Sequence, residues 1–165
     1  MQKVYHGPIV KREKYVILHN IRSAHNVGSI LRTADGAGVA KVFLTGYTPT
    51  PIDRFGRRVP EIEKTSLGAM DTVPWEYKED IFELLQDLKK QNIAVVAVEQ
   101  TAQSISYEGT QIDTPAAFIF GNEIEGVPPD VLEHADIVAE IPMAGEKESL
   151  NVSVAAGIIL FYDFA

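Results

Sequence analysis

Five short runs rich in β-branched and aromatic residues recur along this chain and limit what it can fold into: Tyr15 to His19 (YVILH), Lys41 to Thr45 (KVFLT), Ile93 to Val98 (IAVVAV), Ala117 to Phe120 (AFIF) and Ile137 to Ile141 (IVAEI). IAVVAV and AFIF contain no polar residue, so neither can turn one face to water. They read as strands covered on both sides. Helical patterns separate the runs. Val27 to Ala37 places Val27, Ile30, Leu31 and Ala34 on one stripe, and Glu61 to Ala69 follows Pro60. Asp80 to Lys90 (DIFELLQDLKK) has acids in its first turn and lysines in its last, matching the helix dipole. An apolar segment from Leu150 to Phe164 reads as the final helix. Strands alternating with helices predict an α/β fold with a parallel-rich sheet flanked by helices.

The chain has 165 residues, and the expectation is a single domain over 1–165 with no separate RNA-binding domain. With no cysteine it has no Cys-ligated metal, iron–sulfur cluster or thiol nucleophile. His6, His19, His25 and His134 lack metal-ligand spacing, so no metal is expected. No run approaches the roughly 18 apolar residues of a membrane span, and a cytoplasmic location is expected. Gly36-Ala37-Gly38 sits after a helix, with Lys41 where a dinucleotide fingerprint needs its third glycine; it reads as a helix C-cap and turn. P-loop, G-x-S-x-G and H-E-x-x-H strings are absent, which removes simple NTPase, lipase-type and zinc-protease readings.

Net charge is −8, from 15 Lys and Arg against 23 Asp and Glu. That total averages two unlike parts. Residues 1–68 carry eleven basic and five acidic residues, a balance of +6, and residues 69–165 carry four basic and eighteen acidic, a balance of −14. Such asymmetry points to a nucleic-acid face on an acidic body. The Gly46 to Pro60 stretch is the longest loop expected, and it holds Arg54, Arg57 and Arg58.

Three polar clusters lie where strands end, the usual place for ligands in open α/β sheets. The first runs from Asn20 to Thr33, with Asn26 and Arg32 about 1.7 helical turns apart and expected on broadly similar sides. Capping alone would make Asn26 an N-cap and Arg32 a surface ion-pair donor. The second, Phe118 to Pro128, puts Gly121-Asn122-Glu123 directly after a buried strand. The third, Ile141 to Ser153, contains Met143, Ser149, Leu150 and Asn151; capping alone would make Ser149 the N-cap of the last helix and Asn151 a first-turn residue.

Together, in this order, the strings Asn26-Val-Gly-Ser-Ile-Leu-Arg32-Thr, Phe120-Gly-Asn-Glu123-Ile-Glu-Gly126-Val and Ile141-Pro-Met143 with Ser149-Leu-Asn151-Val-Ser-Val-Ala155 resemble the three signature motifs of the SpoU (TrmH) family of RNA 2′-O-ribose methyltransferases, within the SPOUT superfamily. The resemblance spans about Val16 to Phe164. It implies an α/β knot with a deep C-terminal trefoil, a homodimer, and S-adenosylmethionine as cofactor held by Val98, Glu99, Gly121, Ile141, Met143 and Leu150. A side chain at Gly121 is expected to collide with the ligand. It further implies methyl transfer to a ribose hydroxyl of tRNA or rRNA, with Arg32 as the catalytic residue and Asn26, Glu123, Ser149 and Asn151 supporting the geometry. An always-protonated guanidinium is a poor unaided base, so phosphate binding and hydroxyl orientation are the roles expected of Arg32. Lys11, Arg12, Lys14, Arg22, Arg54, Arg57 and Arg58 are the candidate RNA contacts. Two other readings stay open at this level: a non-catalytic RNA-binding or assembly module that keeps the fold, and a small-molecule methyltransferase.

Overall fold

The structure is a computed structural model and describes residues 13–164; Lys11 and Arg12 lie outside the described residues. Seven strands form one sheet: β1 (Lys14–His19), β2 (Lys41–Thr45), β3 (Trp75–Lys78), β4 (Ala94–Val98), β5 (Ile105–Ser106), β6 (Ala116–Phe120) and β7 (Ile137–Glu140). Their spatial order is β3-β2-β1-β6-β4-β7-β5, and every neighbouring pair is parallel. All five predicted strand runs match observed strands to within one residue. Sequence reading missed β3 and β5. Both are short edge strands with exposed or half-buried residues, so neither has the unbroken apolar run that marked the buried strands.

Side chains alternate across the sheet, and each face has its own helix layer. Val16, Leu18, Val42, Leu44, Val96, Phe118 and Phe120 point to one face, where α1 (Ala24–Ala37), α2 (Pro60–Ser66), α3 (Ala69–Thr72) and α6 (Val152–Phe161) pack. Ile17, Phe43, Val95, Ala117 and Ile119 point to the other, covered by Ile81, Leu84, Leu85 and Leu88 of α4 (Ile81–Lys90) and Val131 of α5 (Pro129–Leu132). Completely burying one such aliphatic side chain contributes about 1.5–3 kcal/mol, so two facing layers support the sheet without cross-links.

Helix boundaries differ from expectation for local reasons. The predicted helix over 61–69 is α2 followed by α3, because Leu67 and Gly68 take φ of 47° and 88° and break the helical path. Helix α1 begins three residues before the predicted Val27, and its N-cap is Ser23, whose hydroxyl accepts the Asn26 N–H at 3.2 Å. Asn26 is therefore not the cap. The last helix is shorter than Leu150 to Phe164, and its N-cap is Asn151 rather than Ser149: the Asn151 side chain accepts from Ser153 N–H at 2.9 Å. Gly38 is the C-cap of α1, as expected for that glycine string. Gly28 lets α1 and α2 approach closely, since a Cβ there would overlap Thr65 Oγ1 and crowd the Ile62 carbonyl.

Helices α1 and α6 run side by side in the same sense. Asn151 at the start of α6 meets Asn26 in the first turn of α1, and Phe161 at its end lies against Gly36 near the end of α1. The ammonium of Lys14, one of the candidate RNA contacts, donates to the Leu160 and Tyr162 carbonyls at 2.8 and 2.7 Å, where the last turn of α6 leaves acceptors open. Among the described residues no helix is long and apolar enough to cross a membrane, and no cluster of His, Asp and Glu is arranged to hold a metal ion.

Candidate active site

Neighbouring strands β6, β4 and β7 end at the same edge of the sheet, and the loops leaving them enclose a cavity of about 410 Å³. That volume falls within the usual range for small-ligand sites. Val98, Glu99, Gly121, Ile141, Met143 and Leu150, the six residues assigned to the cofactor, all line it, together with Glu123, Ser149, Gln100 and Thr101. Gln100 and Thr101 belong to no motif that marks them in the sequence.

The loop from Gly121 to Gly126 forms the cavity's lip and folds on its own backbone. Asn122 N–H donates to the Gly126 carbonyl at 3.2 Å and Gly126 N–H returns to the Asn122 carbonyl at 2.9 Å. The buried Asn122 side chain accepts from Ile124 and Glu125 N–H, each at 2.9 Å, which closes the turn. A Cβ on Gly121 would overlap the Gly126 carbonyl and the Val127 nitrogen. The expected collision at this glycine is thus with the protein's own lip. From below, Glu99 accepts the Val127 N–H at 2.9 Å, so the end of β4 holds the end of the same loop.

Glu123 ties this lip to the first cluster. Its carboxylate accepts from Arg22 N–H (3.0 Å), Ser23 N–H (3.1 Å) and the Asn26 side-chain amide (3.1 Å). Burial acts to raise its pKa, but these donors and its own N–H outweigh burial and hold the carboxyl below its ordinary 4.5. The Asn26 side-chain oxygen Oδ1 in turn accepts from the Asn151 side-chain amide at 3.4 Å. Glu123, Asn26 and Asn151 come from three separate clusters and form one chain of side chains beside the cavity.

Arg32 is placed differently. It is exposed, whereas Asn26 is 7% exposed, and six residues of α-helix set the two about 120° apart. The expectation that they share broadly similar sides is therefore corrected. Arg32 does not line the cavity of its own chain, and it makes no hydrogen bond or ion pair with another described residue.

The basic candidates divide. Arg22 and Arg54 are exposed, and neither side chain pairs with a carboxylate among the described residues. Arg57 Nε donates to Asp53 at 2.9 Å. Arg58 bridges Glu63 at 2.9 Å and grips Asp71 with two bonds of 2.9 and 2.8 Å, which raises its pKa and commits most of its donors.

Sequence reading also missed the brace behind the lip. Tyr47, at the start of the arginine loop, bonds Asn122 through its hydroxyl at 2.9 Å, and its N–H donates to Asn20 at 3.2 Å. Asn20 takes φ of 55°, a conformation Asn tolerates, and its carbonyl accepts from Asn122 at 3.0 Å. Below it His19 is buried, Nδ1 lying 2.8 Å from Thr45 Oγ1; desolvation outweighs the pull of Asp130 and lowers its pKa below 6.5.

Comparison with known proteins follows the same segments. The chain is 36% identical over 146 residues to the 23S rRNA (guanosine-2'-O-)-methyltransferase RlmB of Xylella fastidiosa, covering 88% of this chain and 56% of that protein. It therefore spans little more than half the length of such curated relatives. The TrmH/SpoU tRNA modifying enzyme of A. aeolicus superposes with a TM-score of 0.79 at 29% identity, covering 91% of this chain and 73% of the other. The AdoMet-bound rRNA methyltransferase of Sinorhizobium meliloti gives 0.76 at 32% identity, covering 90% and 54%. Residues 13–161 match the SpoU rRNA Methylase family from the start of the described chain to the last residue of α6. With the three clusters that meet at Asn26 inside that match, the chain belongs to the SpoU rRNA Methylase family.

Proposed function

We propose that the chain transfers the methyl group of S-adenosylmethionine to a ribose 2′-hydroxyl of ribosomal or transfer RNA. The observation that carries this reading is the Glu123–Asn26–Asn151 chain beside the 410 Å³ cavity, which joins three clusters into one site. Relatives support it: one is named for guanosine 2'-O-methylation of 23S rRNA, and another was solved with AdoMet bound.

The cavity suits such a cofactor. Ile141, Met143 and Leu150 give apolar walls, the Gly121 lip brings backbone close, and Glu99, Glu123 and Glu125 set a negative potential that favours a cationic ligand. When bound, S-adenosylmethionine supplies an electrophilic methyl group on a sulfonium sulfur. Glu123 fixes the start of α1 against the lip, so Arg22 emerges beside the cavity mouth. Arg32 binds an RNA phosphate and orients the hydroxyl, since holding the reactants in line contributes several kcal/mol to lowering the barrier. Ser149 and Asn151 hold the far side of the mouth.

Arg32 reaches a cavity through a second copy of the chain. Helix α6 is apolar along nearly its whole length, yet Val154 is 50% and Phe161 64% exposed. A helix with apolar residues all round belongs under cover. Arg32 lies one turn before Gly36, the α1 residue beside Phe161, so a homodimer packed on this face brings Arg32 to the joint. The threaded trefoil is part of the same proposal: Phe164 accepts from Ile112 N–H at 3.1 Å and Tyr162 donates to the Glu108 carbonyl at 3.2 Å, which holds the C-terminal segment against the loop before β6. A ribosomal or transfer RNA substrate also places the protein in the cytoplasm.

The test is incubation with methyl-labelled cofactor and total ribosomal and transfer RNA, followed by alkaline hydrolysis. Label in an alkali-resistant dinucleotide is the expected result. Label on a base, or on a small molecule only, overturns the reading; RNA binding with no transfer supports a binding module instead.

A further inference from the structure

The hairpin at residues 51–59 is built from its own contacts. Ile52 and Arg58 pair as an antiparallel bridge, Asp53 N–H donates to the Arg57 carbonyl at 2.8 Å, and Val59 N–H donates to the Pro51 carbonyl at 2.9 Å. The Asp53 carboxylate accepts from Phe55 N–H at 2.8 Å and from the N–H and Nε of Arg57, each at 2.9 Å. Gly56 turns the tip at φ of 77°. The shape of the tip is therefore set by its own contacts, while Ile52 and Val59 pack the base of the hairpin against the core and Arg58 ties it to Glu63 and Asp71.

What the tip presents is an exposed aromatic ring with two cations against it. Phe55 is 66% exposed, and the guanidinium carbons of Arg54 and Arg57 lie 4.7 and 4.9 Å from its ring centroid. Arg57 uses only Nε on Asp53, and Arg54 has no carboxylate partner among the described residues, so both keep donors for phosphate. Tyr47, at the start of the same loop, is bonded to Asn122 of the cavity lip, so the hairpin and the candidate active site share one edge of the sheet.

We infer that this hairpin is a stacking platform for an unpaired RNA base, which adds to the stack that Phe55 forms with its guanidinium neighbours while the remaining donors of Arg54 and Arg57 hold the flanking phosphates. The inference rests on the reading that the substrate is RNA. Aromatic and guanidinium planes are what single-stranded nucleotides stack on, whereas the stacked bases of a duplex leave no face free.

The test measures binding of a labelled stem-loop RNA with an unpaired loop, and of a fully paired duplex of matched length, to the unmodified protein, Phe55→Ala and Phe55→Trp. Phe55→Ala should weaken stem-loop binding about 5- to 150-fold and leave the duplex unchanged. Phe55→Trp should restore the affinity, with its added indole fluorescence quenched on binding. Equal stem-loop affinity of Phe55→Ala and the unmodified protein overturns the platform. So does an equal loss on both RNAs, which would make Phe55 only a prop for the arginines. If the unmodified protein binds neither RNA, the RNA reading itself fails.

Discussion

The lip at residues 121–127 and the hairpin at residues 51–59 are both tight loops at the carboxyl edge of one sheet, but they are held in opposite ways. The lip is fixed by the rest of the molecule: Glu99 just after β4, Tyr47 and Asn20 from the first half of the chain, and the turn before α1 through Glu123. The hairpin is fixed mainly by itself through Asp53 and its bridge, and it leaves Phe55 and Arg54 to solvent. Loops anchored by many elements suit a small ligand that needs exact walls. A self-contained, charged loop suits a flexible polymer whose phosphates need only be near.

The largest effect that would break this contrast is expected from Gly121→Ala. Its Cβ has no room against Gly126 and Val127, so the lip must move; overpacking of this kind costs typically 1–3 kcal/mol of stability. Calorimetry should show cofactor binding lost while RNA binding through the hairpin survives. Unchanged cofactor affinity would mean that the lip does not form the cofactor wall.

Glu123→Gln should cost a comparable amount of stability, about 1.5–3 kcal/mol for hydrogen bonds to a charged group, read by denaturant unfolding, without the steric closure of the lip that makes Gly121→Ala the larger effect on cofactor binding. The pH dependence sharpens this. Glu123 has a folded pKa below 4.5, so its stabilisation is present above that value and is lost as pH falls through the folded pKa. His19 also has a depressed pKa; its contribution is present above 6.5 and is lost as pH falls below it, because the unfolded chain takes up a proton that the buried ring does not. Stability should therefore decline from about pH 6.5 downward, and Glu123→Gln should flatten only the part below 4.5.

The smallest effects fall in the arginine loop, and there they should split. Arg54→Ala should lower RNA affinity and reduce the salt slope by about one. Arg58→Ala should leave that slope nearly unchanged, since Glu63 and Asp71 already engage its guanidinium. Equal slopes for the two variants would erase the distinction.

Much of this was legible in the sequence, and for identifiable reasons. Buried parallel strands must be apolar throughout, so IAVVAV and AFIF announced β4 and β6, and the clusters at strand ends marked the cavity before its shape was known. Capping was read two to three residues out of place, because Ser23 and Asn151 are as competent as Asn26 and Ser149, and only tertiary bonds, from Asn26 to Glu123 and from Asn151 to Asn26, distinguish them. The Tyr47 brace and the engagement of Arg58 by Asp71 join residues 75 and 13 apart in the chain, and no local pattern encodes such pairings. The separation of Asn26 from Arg32 was open to the helical period alone. The burial of one and the exposure of the other decide it.

The proposed division of labour between cavity and RNA-facing surface rests most directly on Arg32, and Arg32→Ala measures it. The variant should lose methyl transfer to RNA while binding S-adenosylmethionine with the affinity of the unmodified protein, since the proposed partner of Arg32 is an RNA phosphate and not the cofactor. Turnover retained by that variant would contradict the account.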